Sequence, residues 1–212
     1  MMKRVFLAIS VLAALVAALG LCACAKADET PAEPTGYVLD VEEELVVDGS
    51  AWGYAGTDPV EAAVYQYLAE EVSKDYAEAE VHIPLVQIFH EDFTNEDEVL
   101  VYGDFWIFNY NVEGDTLTNV SGGNHPGVMH VVKDGNGYKV SSMDVVADGA
   151  GWDESAREIF GEHYDDFIAV HNDEEARAEN RKITVSDYVN LNGLSVTQFQ
   201  DYVWDPVELY LQ

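Results

Sequence analysis

Beyond its first two dozen residues this chain has no cysteine: Cys22 and Cys24 are the only two in 212 residues. If a leader is cut before Cys24, no thiol pair remains to form an internal disulfide, and no thiolate is left for a metal cage or a Cys–His nucleophile. Stability must then come from a hydrophobic core. The 176 residues from Tyr37 to Gln212 suffice for one domain burying roughly 70% of its unfolded surface. Positive charge is equally scarce, with 10 Lys and Arg against 40 Asp and Glu and a formal net charge of −30. Removing a leader that carries Lys3 and Arg4 moves the net charge by two more, to −32. Such a surface repels phosphate backbones and anionic headgroups, so nucleic acid is excluded as a partner, as is electrostatic docking on a membrane. The acidic clusters at 42–44, 70–71, 96–98, 165–166 and 173–175 leave solubility, cation capture or a basic partner as their roles.

Catalytic signatures are missing as well. The sequence has no Gly-x-Ser-x-Gly elbow, no phosphate loop and no dinucleotide fingerprint, since Ser121-Gly122-Gly123 precedes no helix. HxH, HExxH and Cys–His spacings are absent too. His82 and His90 share a strand parity but lie about 26 Å apart when extended. His125 and His130 flank Pro126-Gly127 and are the pair that could converge. Asp92 to Asp97 alternates oxygen ligands, yet no Gly follows at the sixth place and the loop closes too soon for an EF-hand. No metal, cofactor or catalytic residue is therefore assigned.

What is present begins at the N-terminus. Two cations in Met1–Arg4 precede the apolar run Val5–Leu21, the layout of an export signal. Leu21-Cys22-Ala23-Cys24 resembles the lipobox of bacterial lipoproteins: Leu at −3, a small residue at −1, then the acceptor cysteine. Leu21 in the −1 place speaks against Cys22. The resemblance implies a signal peptide over 1–23, a diacylglyceryl thioether and an amide-linked acyl chain such as palmitate on Cys24, and anchoring to the outer face of the cell membrane. Residues 24–36 (CAKADETPAEPTG) read as a lipidated, disordered tether. Residues 37–47 carry scattered Leu and Val and remain unassigned.

Asp58-Pro59-Val60-Glu61 has the form of a helix start, and Val60, Ala63, Val64, Tyr67, Leu68 and Val72 form one stripe running toward Tyr76. Strands follow from Val81 to Val146. Pro84 marks an edge strand, Val99–Tyr110 a central one, and Ser121–Gly127 a Gly-rich loop between two short strands. Asp134-Gly135-Asn136-Gly137 signals a hairpin. Helices are expected from Asp153, with Ala156, Ile159, Phe160, His163, Phe167 and Ile168 inward, and over Glu174–Leu191, stopping at a C-cap in Asn192-Gly193. A last short helix should start at Ser195 and end before Pro206. The fold class is α+β, a curved antiparallel sheet on an N-terminal helix with two to three C-terminal helices. This order resembles the cystatin-like or nuclear-transport-factor-like cone. The tail Asn192–Tyr202, with Trp204 to Val207, also resembles the ends of uncharacterised bacterial exported proteins, which implies a shared domain and no particular activity.

On the central strand Tyr102, Asp104, Trp106, Phe108 and Tyr110 share one face, opposite Val99, Val101, Phe105 and Ile107. A carboxylate among rings suits a proton-abstracting base, but a bulge at Gly103-Asp104 would set Asp104 at a wet rim, and that is the expectation. The candidate ligand contacts are Tyr102, Asp104, Trp106, His125 and His130. Trp52, Trp152 and Trp204, near element ends, could line a rim or cover the core. The expected function is non-catalytic: a binding or interaction module in the cell envelope for an unknown small molecule or envelope protein. The alternatives are an enzyme using a cone cavity with Asp104 as acid/base, and an inhibitor or immunity-type protein with an acidic face for a basic partner.

The anchor is open to a direct test. Metabolic labelling with a fatty-acid analogue should mark the wild type and leave Cys24→Ser unlabelled. Label that survives Cys24→Ser and disappears in Cys22→Ser would move the mature end.

Overall fold

The computed structural model describes residues 48–212; the leader 1–23, Cys24, the tether 24–36 and the segment 37–47 lie outside the described residues. Helix α1 (Pro59–Glu70) starts where the capping chemistry puts it, with the Asp58 carboxylate accepting from the amides of Val60 and Glu61. The return bond of a capping box is relayed rather than direct: the Tyr54 hydroxyl accepts from the Asp58 amide and donates to Glu61 Oε2, at 2.9 Å each. The helix stops at Glu70, and a 3₁₀ turn over Val72–Asp75 carries the chain on toward Tyr76.

Four long strands form an antiparallel meander: β1 (Val81–Asn95), β2 (Glu98–Glu113), β3 (Thr116–Asp134) and β4 (Gly137–Val145). As Pro84 requires, β1 is an edge, paired only with β2 among the described residues. Gly114 and Gly135 supply the left-handed backbone of the β2–β3 and β3–β4 turns. Single-residue bulges at Phe89, Val120 and Ser141 interrupt the registers, and a bulge bends and twists the strand that carries it. The sheet is strongly curled into a half-barrel.

The expected Gly-rich loop is not a loop. Residues 121–127 continue β3 without a break, with Gly122 opposite Phe108, Gly123 opposite Ile107 and Gly127 opposite Gly103. Here glycine admits close approach: a Cβ on Gly127 would overlap the Asp144 carbonyl, and one on Gly123 the Tyr76 hydroxyl.

Parity on β2 works as its sequence implies. Val99, Val101, Phe105 and Ile107 pack with Val64 and Leu68 of α1 and with Met129 and Val131 of β3. Leu100 and Tyr102, on the other face, meet α2 (Trp152–Phe160) and α3 (Tyr164–His171) through Phe160 and Phe167. The stripe expected from Asp153 is interrupted at Gly161, whose φ of 53° ends α2; Asp153 itself sits inside the first turn, which starts at Trp152 without a side-chain cap. Helix α4 (Glu174–Asn192) ends at left-handed Gly193 and packs Val185 and Val189 against Val81, Tyr110 and Leu117.

The helix expected after Ser195 does not form. Strand β5 (Gln198–Gln200) instead pairs parallel with Thr116–Thr118 of β3 and antiparallel with β6 (Val207–Glu208), which makes the sheet mixed rather than purely antiparallel. Burial explains the override: Phe199 lies in the α4 cluster, and the Thr197 amide donates to the Asp115 carbonyl at 2.8 Å. A tertiary seat for one aromatic outweighs a local capping pattern.

If Gly127 is a close-approach strand position, Gly127→Ala should cost about 1–3 kcal/mol by overpacking against β4. Denaturant unfolding reads this; an unchanged midpoint would return the segment to a loop.

Candidate functional site

The expectation of a wet rim at Asp104 is overturned. Its side chain is 0% exposed, because the irregularity sits one strand away: the bulge is at Phe89 of β1, and Gly103-Asp104 stays in register with Ile88-Gln87. Gly103 keeps room for the Phe105 ring, which a Cβ there would strike. The buried carboxylate is met by three donors from three elements: Trp106 Nε1 at 3.3 Å on β2, Asn124 Nδ2 on β3 and His171 Nδ1 at 3.2 Å at the end of α3. Neither Asn124 nor His171 is marked by local sequence, since both meet Asp104 only through the fold.

The remaining candidates scatter. His125 and His130 do not converge; five residues apart on one strand, they face opposite sides. His125 Nε2 lies 2.7 Å from the Tyr76 hydroxyl on the α1 side, and burial lowers its pKa. His130 Nδ1 meets Glu98 at 2.9 Å and Nε2 meets Asp144 at 3.2 Å. Burial pulls its pKa down, but the bonds to Asp144 and Glu98 outweigh that and raise it, so His130 clips β2, β3 and β4 together most firmly when protonated. Tyr102 sits beside His90 and His163, whose rings stack at 3.8 Å. His82 is far from these, held to Asn109 at 2.7 Å. Among the described residues no group of three or more His, Cys, Asp or Glu is placed to hold a metal ion. Asp92 and Asn95 cap the backbone of the β1–β2 turn through the amides of Thr94 and Asp97.

Trp106 leads to a surface site. With Phe108, whose ring lies 8° from parallel, it borders a cleft of about 280 Å³ closed by Asn119, Gly122, Gly123, Arg181, Asp201, Tyr202 and Trp204. The cleft exists because β3 offers glycine beside Phe108, so no side chain fills the space next to the ring. Arg181 of α4 sits 3.8 Å over Phe108, forks onto both Asp201 oxygens and donates to the Tyr110 hydroxyl at 2.7 Å. That pairing fixes the loop after β5. Beyond it Tyr202, Val203 and Trp204 stand 72%, 95% and 73% exposed, and Tyr202 is the one non-glycine with positive φ, 47°, among the described residues. Of the other tryptophans, Trp152 covers Phe167 and His171, and Trp52 bonds Glu70 at 2.8 Å.

The roles of Arg181, Asp201 and Tyr202 escape the sequence reading. The available signal was the run Tyr202-Val203-Trp204, too apolar for a solvated turn. No protein-family model, curated protein or solved structure matches the chain.

Because Asp104 is enclosed, Asp104→Ala strands three half-buried donors and should cost about 3 kcal/mol. It should also change the near-ultraviolet dichroism of Trp106, whose indole it holds. A loss under about 1 kcal/mol with unchanged dichroism would show that the network is dispensable.

Proposed function

We propose that this protein is a cell-envelope lipoprotein, held at the outer face of the membrane by lipidated Cys24, that acts without catalysis as a binding module. Its ligand is a small neutral polar molecule with an apolar face, of which a sugar ring is the model case. In this reading the curled sheet and the helix α1 against it are a cone of the cystatin-like or nuclear-transport-factor-like kind, used as a rigid platform.

The observation that carries the reading is the loop Tyr202-Val203-Trp204. Three large apolar side chains are exposed together beside a cleft with an amide, a guanidinium and a carboxylate on its border. Contiguous exposed apolar surface marks interaction sites, and backbone held at positive φ in a non-glycine residue clusters at ligand clamps. Flat rings for the apolar face of a ligand, with hydrogen-bonding groups at the edge, suit a polyhydroxylated ring. The Arg181–Asp201 pair is locally neutral, so neither a cation nor an anion is favoured there. Catalysis by Asp104 draws no support from its position: it has no exposed surface, and the cleft is lined by its neighbour Trp106 instead.

Tryptophan fluorescence titrated with a panel of neutral mono- and oligosaccharides tests this. At least one should shift the emission saturably, Trp204→Ala should weaken that binding by about tenfold or more, and Trp204→Phe should recover part of it. The unfolding midpoint should stay put, since Trp204 covers no core. Sugars that leave the emission unchanged, or bind Trp204→Ala as they bind the wild type, would overturn the assignment.

A further inference from the structure

The free edge of β1 forms the floor of a second cleft, of about 550 Å³, independent of the aromatic one. Its geometry follows from pleat and topology. Val86 and Ile88 turn toward α1, whereas Gln87, opposite Asp104, turns toward α3 and α4. The cleft takes in all three residues, so it wraps the strand edge: Glu61 and Tyr65 of α1 stand on one side, Asp173 and Asn180 at the start of α4 on the other. Between these walls β1 has no strand partner among the described residues, so its outward N–H and C=O groups face the slot. Ala169 and Ala176 keep the far wall low.

Two features say what the slot lacks. Gln87 Oε1, which borders it, is a buried side-chain oxygen with no hydrogen-bond donor among the described residues; Glu91 Oε1, past the Phe89 bulge and outside the slot, is another. Such acceptors are uncommon and costly unless a partner supplies the donor. Charge points the same way: Glu61 and Asp173 line the slot, and among the described residues no lysine or arginine does. Burial, then the nearby carboxylates of Asp58 and Glu61, raises the pKa of Glu91, a group short of positive charge.

We infer that this slot receives an extended segment of a partner protein, carrying lysine or arginine at adjacent positions and so on both of its faces, which adds to the sheet as a strand beside Val86–Ile88. Main-chain bonds to the β1 edge give the affinity, and adjacent basic side chains, pointing to opposite faces, reach Glu61 on one side and Gln87 and Asp173 on the other. A strand has the right shape because its side chains diverge to both faces, as the two walls do. An acidic segment is refused by the same carboxylates.

The probe is a short acetylated peptide of two adjacent lysines flanked by valines, with a fluorescent label, read by anisotropy on the full-length protein. It should bind, and its glutamate counterpart should not. N-methylation of the amides on one alternate set should abolish binding, while methylation of the other set should be tolerated, because only one edge of the added strand pairs with β1. Amide exchange at Val86–Ile88 should slow on binding. Glu61→Gln with Asp173→Asn, which keep hydrogen-bonding ability and the α4 cap, should together weaken the peptide by about tenfold and flatten its salt dependence. Trp204→Ala should leave it unchanged, which separates this site from the aromatic cleft. No binding at millimolar peptide, equal tolerance of both methylation patterns, or full affinity in the neutralised double variant would each overturn the proposal.

Discussion

The Asp104 carboxylate, sealed from water at the middle of β2, is the constraint on which the rest of the structure depends. A buried carboxylate is tolerable only when donors surround it, and here they come from β2, β3 and α3. Each bond has a consequence beyond itself. Asn124 also donates to the Phe105 carbonyl at 3.2 Å, which pins β3 to β2 within its glycine-rich stretch. His171 carries the end of α3 down onto the sheet, and Arg177 donates to the His171 carbonyl at 2.7 Å, so the turn into α4 is placed by the same carboxylate. Trp106 is oriented at its indole nitrogen, with Arg177 over its ring. The floor of the aromatic cleft and the helix behind it thus share one electrostatic origin.

Local signals were legible wherever a short stretch decides its own conformation. The α1 cap, the Asp134–Gly137 hairpin, the edge character conferred by Pro84 and the left-handed stop at Gly193 all rest on one to four adjacent residues. The two faces of β2 were legible for the same reason, since a period of two needs only the sequence. What failed were inferences where distant contacts decide. Gly122, Gly123 and Gly127 look like a loop until Tyr76 and the Asp144 carbonyl are seen pressing on them. Ser195–Gln198 looks like a helix start until Phe199 finds its place beside Tyr110.

The candidate site was half legible. Trp106 and Asp104 stood out by parity, and Trp204 by its place near an element end. The direction of the error on Asp104 is instructive. A glycine before a carboxylate suggests a bulge, but the extra residue went into the partner strand, where Phe89 could enter the cluster of Phe160 and Phe167. A bulge needs two strands, and one sequence segment does not say which will carry it. Arg181 was unreadable because its bonds reach Tyr110, 71 residues back, and Asp201, 20 residues ahead.

Scarcity of positive charge gives the two clefts their different characters. Nearly every cation of the described residues is engaged: Lys74 with Glu71, Lys139 with Asp134, Arg157 with Asp153, Lys182 over Tyr210, and Arg177 and Arg181 over Trp106 and Phe108. Two of the few guanidiniums therefore brace the aromatic cleft, where Asp201 neutralises one of them and leaves rings and dipoles as the recognition chemistry. Among the described residues the β1 edge receives none. Its carboxylates and the donorless Gln87 oxygen are the chemistry that the proposed basic strand would answer. A protein with forty acidic residues and ten basic ones cannot pair its own charges everywhere. The physical question is where the unpaired ones lie, and a slot along a strand edge is a more selective place for them than an open face.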